Sequence, residues 1–305
     1  MEIAILGATG YIGRALFGEL MTDESVKVAG YSRNVVSAKE TLAGYKVPHT
    51  DINNYKEILS HEYEVIINAT GIGSPKKLRE NPAAVFEVTE EMDKMIFDYL
   101  DKYPKTRVFN ISSGAVYGLA ATSEVQEETE ACFAINSLSA KEGYALAKLC
   151  SEVKHRARNK SSIVDLRVFA FVSRYLDPND LFLVSDIAQS LKNEISLKTN
   201  STDLVRDFTT AGDLVAVLKF LTEREPVNDV FNMKSKEAVS KFELLEKLKE
   251  ELGLTFEVEE LNESSHTGVK NVYAPKFSRL ESLGYKPRYT STENVTSELK
   301  AFLTL

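Results

Sequence analysis

Two cysteines, four histidines and no long apolar run: these scarcities exclude more about the 305-residue chain than its common residues reveal. Cys132 and Cys150 alone make no disulfide framework, so a reducing, cytoplasmic setting is expected. His49, His61, His155 and His266 are scattered without metal-ligand spacing, which argues against a metal site. No apolar stretch reaches about 18 residues, so no membrane-spanning helix is expected. Positive charge is in deficit, with 37 Lys and Arg against 45 Asp and Glu and a net charge of −8. That balance disfavours a nucleic-acid surface. No basic region precedes the first apolar run, so no signal peptide is expected. A hydrophobic content of 43% is enough for an ample core, and the length allows one large domain or two intimately joined ones.

The first informative segment is Gly7-Ala8-Thr9-Gly10-Tyr11-Ile12-Gly13. It follows the apolar run Met1 to Leu6, fit for a buried strand, and precedes Arg14 to Met21, whose apolar residues recur at helical spacing. A strand, a glycine turn and a helix form the context in which backbone N–H groups and a helix dipole hold a pyrophosphate. The spacing is G-x-x-G-x-x-G, not G-x-G-x-x-G.

Strand and helix patterns then alternate. Strands are expected at 26–31, 45–48, 65–69, 107–111 and 163–169, and a helix from Ala83 to Tyr103 with Met92, Met95, Ile96 and Tyr99 near one face. Such alternation predicts an α/β fold, a doubly wound parallel sheet with right-handed crossovers. After Phe171 the pattern changes. A helix and strand are expected within 181–204, helices at 213–222 and 244–252, a strand at 230–233 and a turn at Leu283 to Pro287. Residues 1–171 and 205–235 therefore read as a dinucleotide-binding domain, and 172–204 with 236–305 as a smaller α+β lobe.

Tyr144 and Lys148, in Gly143-Tyr144-Ala145-Leu146-Ala147-Lys148, share one face of a helix. An ammonium there is expected to lower the phenol pKa and make it a proton donor near neutral pH. Alone the pair is a weak signal and reads better as a solvated helix face. Ser113, in Asn110-Ile111-Ser112-Ser113-Gly114-Ala115-Val116-Tyr117-Gly118, follows the fifth expected strand, at the sheet end where ligands gather. It can bond a substrate oxygen or satisfy a turn. The run is not G-x-S-x-G, so a serine hydrolase is not supported.

Together these segments resemble the extended short-chain dehydrogenase/reductases, and more narrowly their sugar-nucleotide epimerase/dehydratase/reductase group. The resemblance spans nearly the whole chain. It implies a Rossmann-type fold, Ser113, Tyr144 and Lys148 as catalytic residues, and cofactor contacts from Gly7, Thr9, Gly10, Tyr11, Ile12 and Gly13. Asp51-Ile52 resembles the adenine-contacting segment after strand three, and Asn68-Ala69-Thr70-Gly71 the strand-four segment. Arg206-Asp207-Phe208 resembles a motif whose arginine meets the substrate diphosphate. The likeness also implies a homodimer through the helices starting near Ala83 and Tyr144. Three departures stand out. Thr89 holds the approximate place of a frequent asparagine, and Arg167-Val168-Phe169-Ala170 lacks a sugar-contacting asparagine. Gly114 and Ala115 stand where dehydratases place an acidic pair, which disfavours dehydration.

An NAD enzyme usually ends its second strand with Asp or Glu. Here Ser32-Arg33 stands there, a hydroxyl and a guanidinium suited to a 2′-phosphate. NADP(H) is therefore expected ahead of NAD(H). The leading reading is an NADPH-dependent reductase of a keto group on a nucleotide-linked, deoxygenated sugar. The alternatives are an NAD-retaining nucleotide-sugar epimerase and a non-catalytic dinucleotide sensor.

Overall fold

The apolar runs become seven strands buried on both faces, as parallel strands between helices must be. The computed structural model describes residues 1–49, 51–73, 78, 80–118, 125–259 and 271–305. The strands are β1 (Glu2–Leu6), β2 (Lys27–Ser32), β3 (Ile52–Asn54), β4 (Val65–Asn68), β5 (Arg107–Ser113), β6 (Ile163–Val168) and β7 (Asp229–Asn232). They lie in the order β7-β6-β5-β4-β1-β2-β3, every neighbouring pair parallel. The order reverses between β1 and β4. This is the Rossmann-type arrangement, and the crevice at that reversal is where it binds ligands.

Helices α1 (Tyr11–Leu20), α2 (Val35–Gly44), α3 (Ala84–Lys102) and α4 (Ala140–Ala157) connect these strands. Side chains alternate across β1, so Ile3 and Ile5 pack with Leu16, Phe17 and Leu218, while Ala4 and Leu6 pack with Ile96, Tyr99 and Leu100. The apolar stripe of α3 is thus turned to the sheet. A second core joins helices Leu183–Asn193, Lys241–Leu252 and Ser291–Thr304 through Val184, Ile187, Leu244, Leu248, Val295 and Leu299.

Three expectations need correction. Residues 45–48 form no strand: the N–H groups of Tyr45, Lys46 and Val47 return to carbonyls at the end of α2, and Lys46 takes φ 55°. Pro48 has no N–H to offer a ladder, and β3 begins only at Ile52. Asp51-Ile52 therefore opens the third strand and does not follow it. In β5 the strand runs two residues further than expected, so Ser113 is its last residue.

Unusually, α4 meets the sheet with polar side chains. Lys148, Ser151, Glu152 and His155, at helical spacing, are all buried. Glu152 accepts from Arg167 and from Ser112 Oγ (2.5 Å), and Ser151 Oγ donates to Asp93 (2.6 Å). His155 Nδ1 lies 2.9 Å from Asp165 and its Nε2 3.5 Å from Asp93. Burial by itself would lower the imidazole pKa, but Asp165 and Asp93 outweigh it and raise it to about 9. A folded-state value above the unfolded one gives stability that is complete below about pH 6.5 and lost as pH rises through 9. Unfolding free energy should fall by on the order of 3 kcal/mol across that window. Denaturant titrations of wild type and His155→Gln check this; the variant should lack that slope.

Candidate active site

The glycine turn after β1 packs against the end of β4. Gly7 has φ +77°, and a Cβ on it would lie 3.0 Å from Ala69 and Thr70 backbone atoms. The Gly10 N–H donates to Gly7 O (2.9 Å), and a Cβ on Gly13 would sit 2.0 Å from that same oxygen. Gly10 caps α1 without a side-chain hydrogen bond, and the first turn holds no acidic residue. The helix N-terminus keeps unpaired donors and a positive dipole, so the cradle fits a dinucleotide diphosphate. Half-buried Thr9 fixes the turn by accepting from Arg14 through its carbonyl (3.3 Å). Tyr11 turns its side chain away, its Oη accepting from Ser173 N (3.1 Å) and its ring edge on Phe171. Ile12 packs on the main core. These two have their backbone to offer a phosphate.

Beyond β2, Ser32 Oγ donates to Asn34 O (3.2 Å), and Arg33 is exposed with its carbonyl held by Asn54 Nδ2 (2.8 Å). Tyr55, which sequence reading missed, accepts from the Gly7 backbone and lies within electrostatic reach of Arg33. Asp51 is exposed and Ile52 buried, the latter filling the space left by Gly30. Across the crevice, Ala69 N donates to Leu6 O (3.0 Å), and Thr70 is fastened to Asn68 Oδ1 through N (3.1 Å) and Oγ1 (2.5 Å). Gly71 lies beside Lys148: a Cβ on it would be 3.3 Å from Nζ.

Ser113, Tyr144 and Lys148 converge here, at the carboxyl ends of β4 and β5. Lys148 Nζ donates to Ile111 O (2.8 Å) and Thr70 O (3.3 Å). Burial lowers its pKa, opposed by Asp93, Asp165 and Glu152. Burial raises the Tyr144 phenol above its ordinary value, and a hydrogen bond with Ser113 opposes that shift. The expected depression of the phenol by Lys148 is not realised, because desolvation dominates and the ammonium is engaged by backbone carbonyls.

A fourth group completes the cluster. Tyr273 Oη lies 3.3 Å from Ser113 Oγ, and burial raises its pKa strongly. Tyr273 pairs in register with Arg206, whose guanidinium is 5.9 Å from the Tyr273 ring centre. Burial lowers the Arg206 pKa, and its Nη1 donates to Val205 O (2.8 Å). Asp207 beside it is buried, its pKa raised to about 6 by desolvation, and accepts from Ser235 N (2.8 Å). No motif announces Tyr273, which stands in a two-residue strand. Phe169 accounts for one of the missing carboxylates: a Cβ on Gly114 would lie 2.5 Å from its ring. Thr89 donates to Val85 O within its own helix (2.7 Å).

With cradle and cluster on one crevice, comparison with known proteins is decisive. The model of the NAD dependent epimerase/dehydratase family matches residues 3–233. The chain belongs to this family. It is accordingly an NAD-dependent oxidoreductase-type enzyme. A UDP-glucose 4-epimerase from Thermotoga maritima, solved with UDP-glucose, superposes with TM-score 0.79 at 16% identity, covering 100% of this chain and 99% of that one. A UDP-glucuronic acid 4-epimerase from Bacillus cereus, solved with UDP-glucuronic acid and NAD, gives 0.76 at 18% identity, with coverages of 100% and 99%. A dTDP-glucose 4,6-dehydratase from Bacillus anthracis, in complex with NAD, gives 0.77 at 16% identity, with coverages of 100% and 97%. At these identities the likeness establishes the family's fold. Among the described residues, no helix is long and apolar enough to cross a membrane.

Proposed function

We propose that this family member is a nucleotide-sugar epimerase that oxidises and re-reduces one carbinol carbon of its substrate with a retained NAD. The observation that carries the reading is the convergence of Ser113, Tyr144 and Lys148 beside the glycine cradle. Bound NAD would supply the hydride acceptor and donor. Gly7, Thr9, Gly10, Tyr11, Ile12 and Gly13 would hold its diphosphate, Asp51 and Ile52 its adenine, and Ala69, Thr70, Gly71 and Lys148 its nicotinamide half. Ser113 orients the sugar hydroxyl, and Tyr144 takes its proton and gives one back. Arg206 would bind the substrate diphosphate and not the cofactor's. Residues 172–204 and 236–305 form the substrate lobe. The solved epimerases that share the fold carry UDP-sugars, which supports UDP-hexoses as the first substrates to try. Incubation with single UDP-hexoses and no added cofactor tests this. A mixture of two epimers is expected, and mass spectrometry of the denatured protein should find NAD.

One observation favours a second reading, an NADPH-dependent ketone reductase. Ser32 and Arg33 end β2 where an acid would meet an adenosine 2′-hydroxyl, and Arg33 is exposed and free to turn toward a 2′-phosphate. Under that reading Arg33→Ala weakens NADPH binding by about 10–150-fold, the loss of one charged hydrogen-bonded contact, and leaves NADH unchanged. Calorimetric titration of both cofactors decides: equal small changes favour the NAD-retaining epimerase. A second copy of the chain is proposed to cover the outer faces of α3 and α4, where Phe86 and Val153 are exposed beside a groove of about 300 Å³.

A further inference from the structure

Three neighbouring strands of the sheet carry a polar residue at the same level. Asn68 of β4, Asn110 of β5 and Asp165 of β6 are direct register partners, and all three are buried. Asn68 Nδ2 donates to Asn110 Oδ1 (2.8 Å), and Asn110 Nδ2 donates to Asp165 Oδ1 (2.6 Å). A buried polar residue carries a desolvation cost that an apolar one would not. Three in a row, fully connected, call for a role.

Both ends of the ladder meet α4. At one end Asn68 Oδ1 holds Thr70, whose carbonyl receives Lys148 Nζ. At the other, Asp165 accepts from His155 (2.9 Å) and Arg156 (2.9 Å), two turns beyond Lys148 on the same helix. We propose that Asp165 is a positioning residue, fixing the place of the Lys148 ammonium through Asn110, Asn68 and Thr70 and keeping it protonated by its negative charge.

The charges around Lys148 come from every element packed on it. Asp93 faces it from α3, Asp165 from β6 and Glu152 from α4 itself, with Glu152 already paired to Arg167 of β6. Tyr144 lies one turn away on α4. His155, charged between Asp165 and Asp93, partly neutralises both, while Lys154 reaches Asp93 and Glu90, and Arg156 reaches Asp165. Burial pulls the ammonium toward neutrality and these carboxylates resist. Removing the Asp165 charge therefore lowers the Lys148 titration midpoint. Removing the His155 charge unmasks Asp165 and Asp93 and raises it. A scaffold role alone gives no such opposition of sign.

The experiment is an NMR pH titration of the full chain with lysine side chains labelled with carbon-13 at the ε position. The Lys148 resonance is assigned by its disappearance in Lys148→Arg. Asp165→Asn should move the midpoint down by about one pH unit, the size of one charge several ångströms away in a partly screened interior. His155→Gln should move it up by a smaller amount. Midpoints that stay at the wild-type value, or that move together, overturn the proposal. If Asp165→Asn does not fold, His155→Gln still decides, and an unchanged or lowered midpoint overturns it. What Lys148 does in turnover rests on the reading above, but the titration reads the lysine itself. An inactive enzyme with these midpoints would sink that reading and leave this one standing.

Discussion

Replacing Tyr144 by phenylalanine is expected to lower turnover by about 10²–10⁴-fold, the usual worth of a positioned acid or base. Burial raises the phenol pKa and its hydrogen-bonding neighbour Ser113 opposes that shift; in the proposed cycle the phenol oxygen accepts the carbinol proton as the hydride leaves and returns it as the hydride comes back. The substitution removes the hydroxyl and leaves the ring that fills the space. Cofactor affinity should therefore change by less than about threefold, since no ground-state contact to the cofactor's phosphates is lost. Steady-state kinetics with UDP-hexoses, paired with calorimetric NAD titration, separates the two quantities. Turnover within about threefold of wild type would remove Tyr144 from the proton-transfer role.

Gly13→Ala should do the reverse damage. Its new Cβ would meet Gly7 O at 2.0 Å and Gly7 C at 2.8 Å, both backbone atoms that cannot rotate aside. The turn must shift, and with it the donors aimed at the diphosphate. Each charge-assisted hydrogen bond lost costs roughly 1.5–3 kcal/mol, so NAD affinity should fall by about 100-fold or more. Overpacking also destabilises the fold by about 1–3 kcal/mol. Gly44→Ala is the control: nothing lies within 4 Å of the added methyl, and the position closes α2. Its stability and its NAD binding should stay near wild type. A Gly13→Ala protein that binds NAD normally would show that the cradle tolerates a side chain and holds no diphosphate there.

What was legible in the sequence was local. Gly7, Gly10 and Gly13 are close in the chain and obey one geometric constraint, and Tyr144 and Lys148 meet because a helix brings residues four apart to one face. The sheet was legible because its strands are short apolar runs separated by helical ones. The third strand was misplaced because Tyr45 and Val47 alternate with Lys46 as in a half-buried strand, while their N–H groups are bonded back to α2 and only Ile52 to Asn54 pair with β2. Tyr273 was illegible for a different reason: its place beside Ser113 depends on a two-residue pairing with Arg206, 67 positions away in sequence. The ladder of Asn68, Asn110 and Asp165 depends likewise on register between strands, which no single strand encodes. The phenol pKa was misjudged because spacing reveals the neighbouring ammonium but not the burial that outweighs it.

The central claim is that one carbinol carbon is oxidised and re-reduced without leaving the crevice formed by Ser113, Tyr144, Lys148 and the glycine cradle. The most direct measurement supplies a UDP-hexose deuterated at that carbon, together with excess unlabelled NAD and NADH in solution. Mass and NMR analysis then locate the label in the product. The account predicts the inverted epimer with deuterium still on the same carbon, because the hydride is held and returned to the opposite face. Deuterium in the free NADH pool, or a reduced sugar formed only with added NADPH, would contradict it.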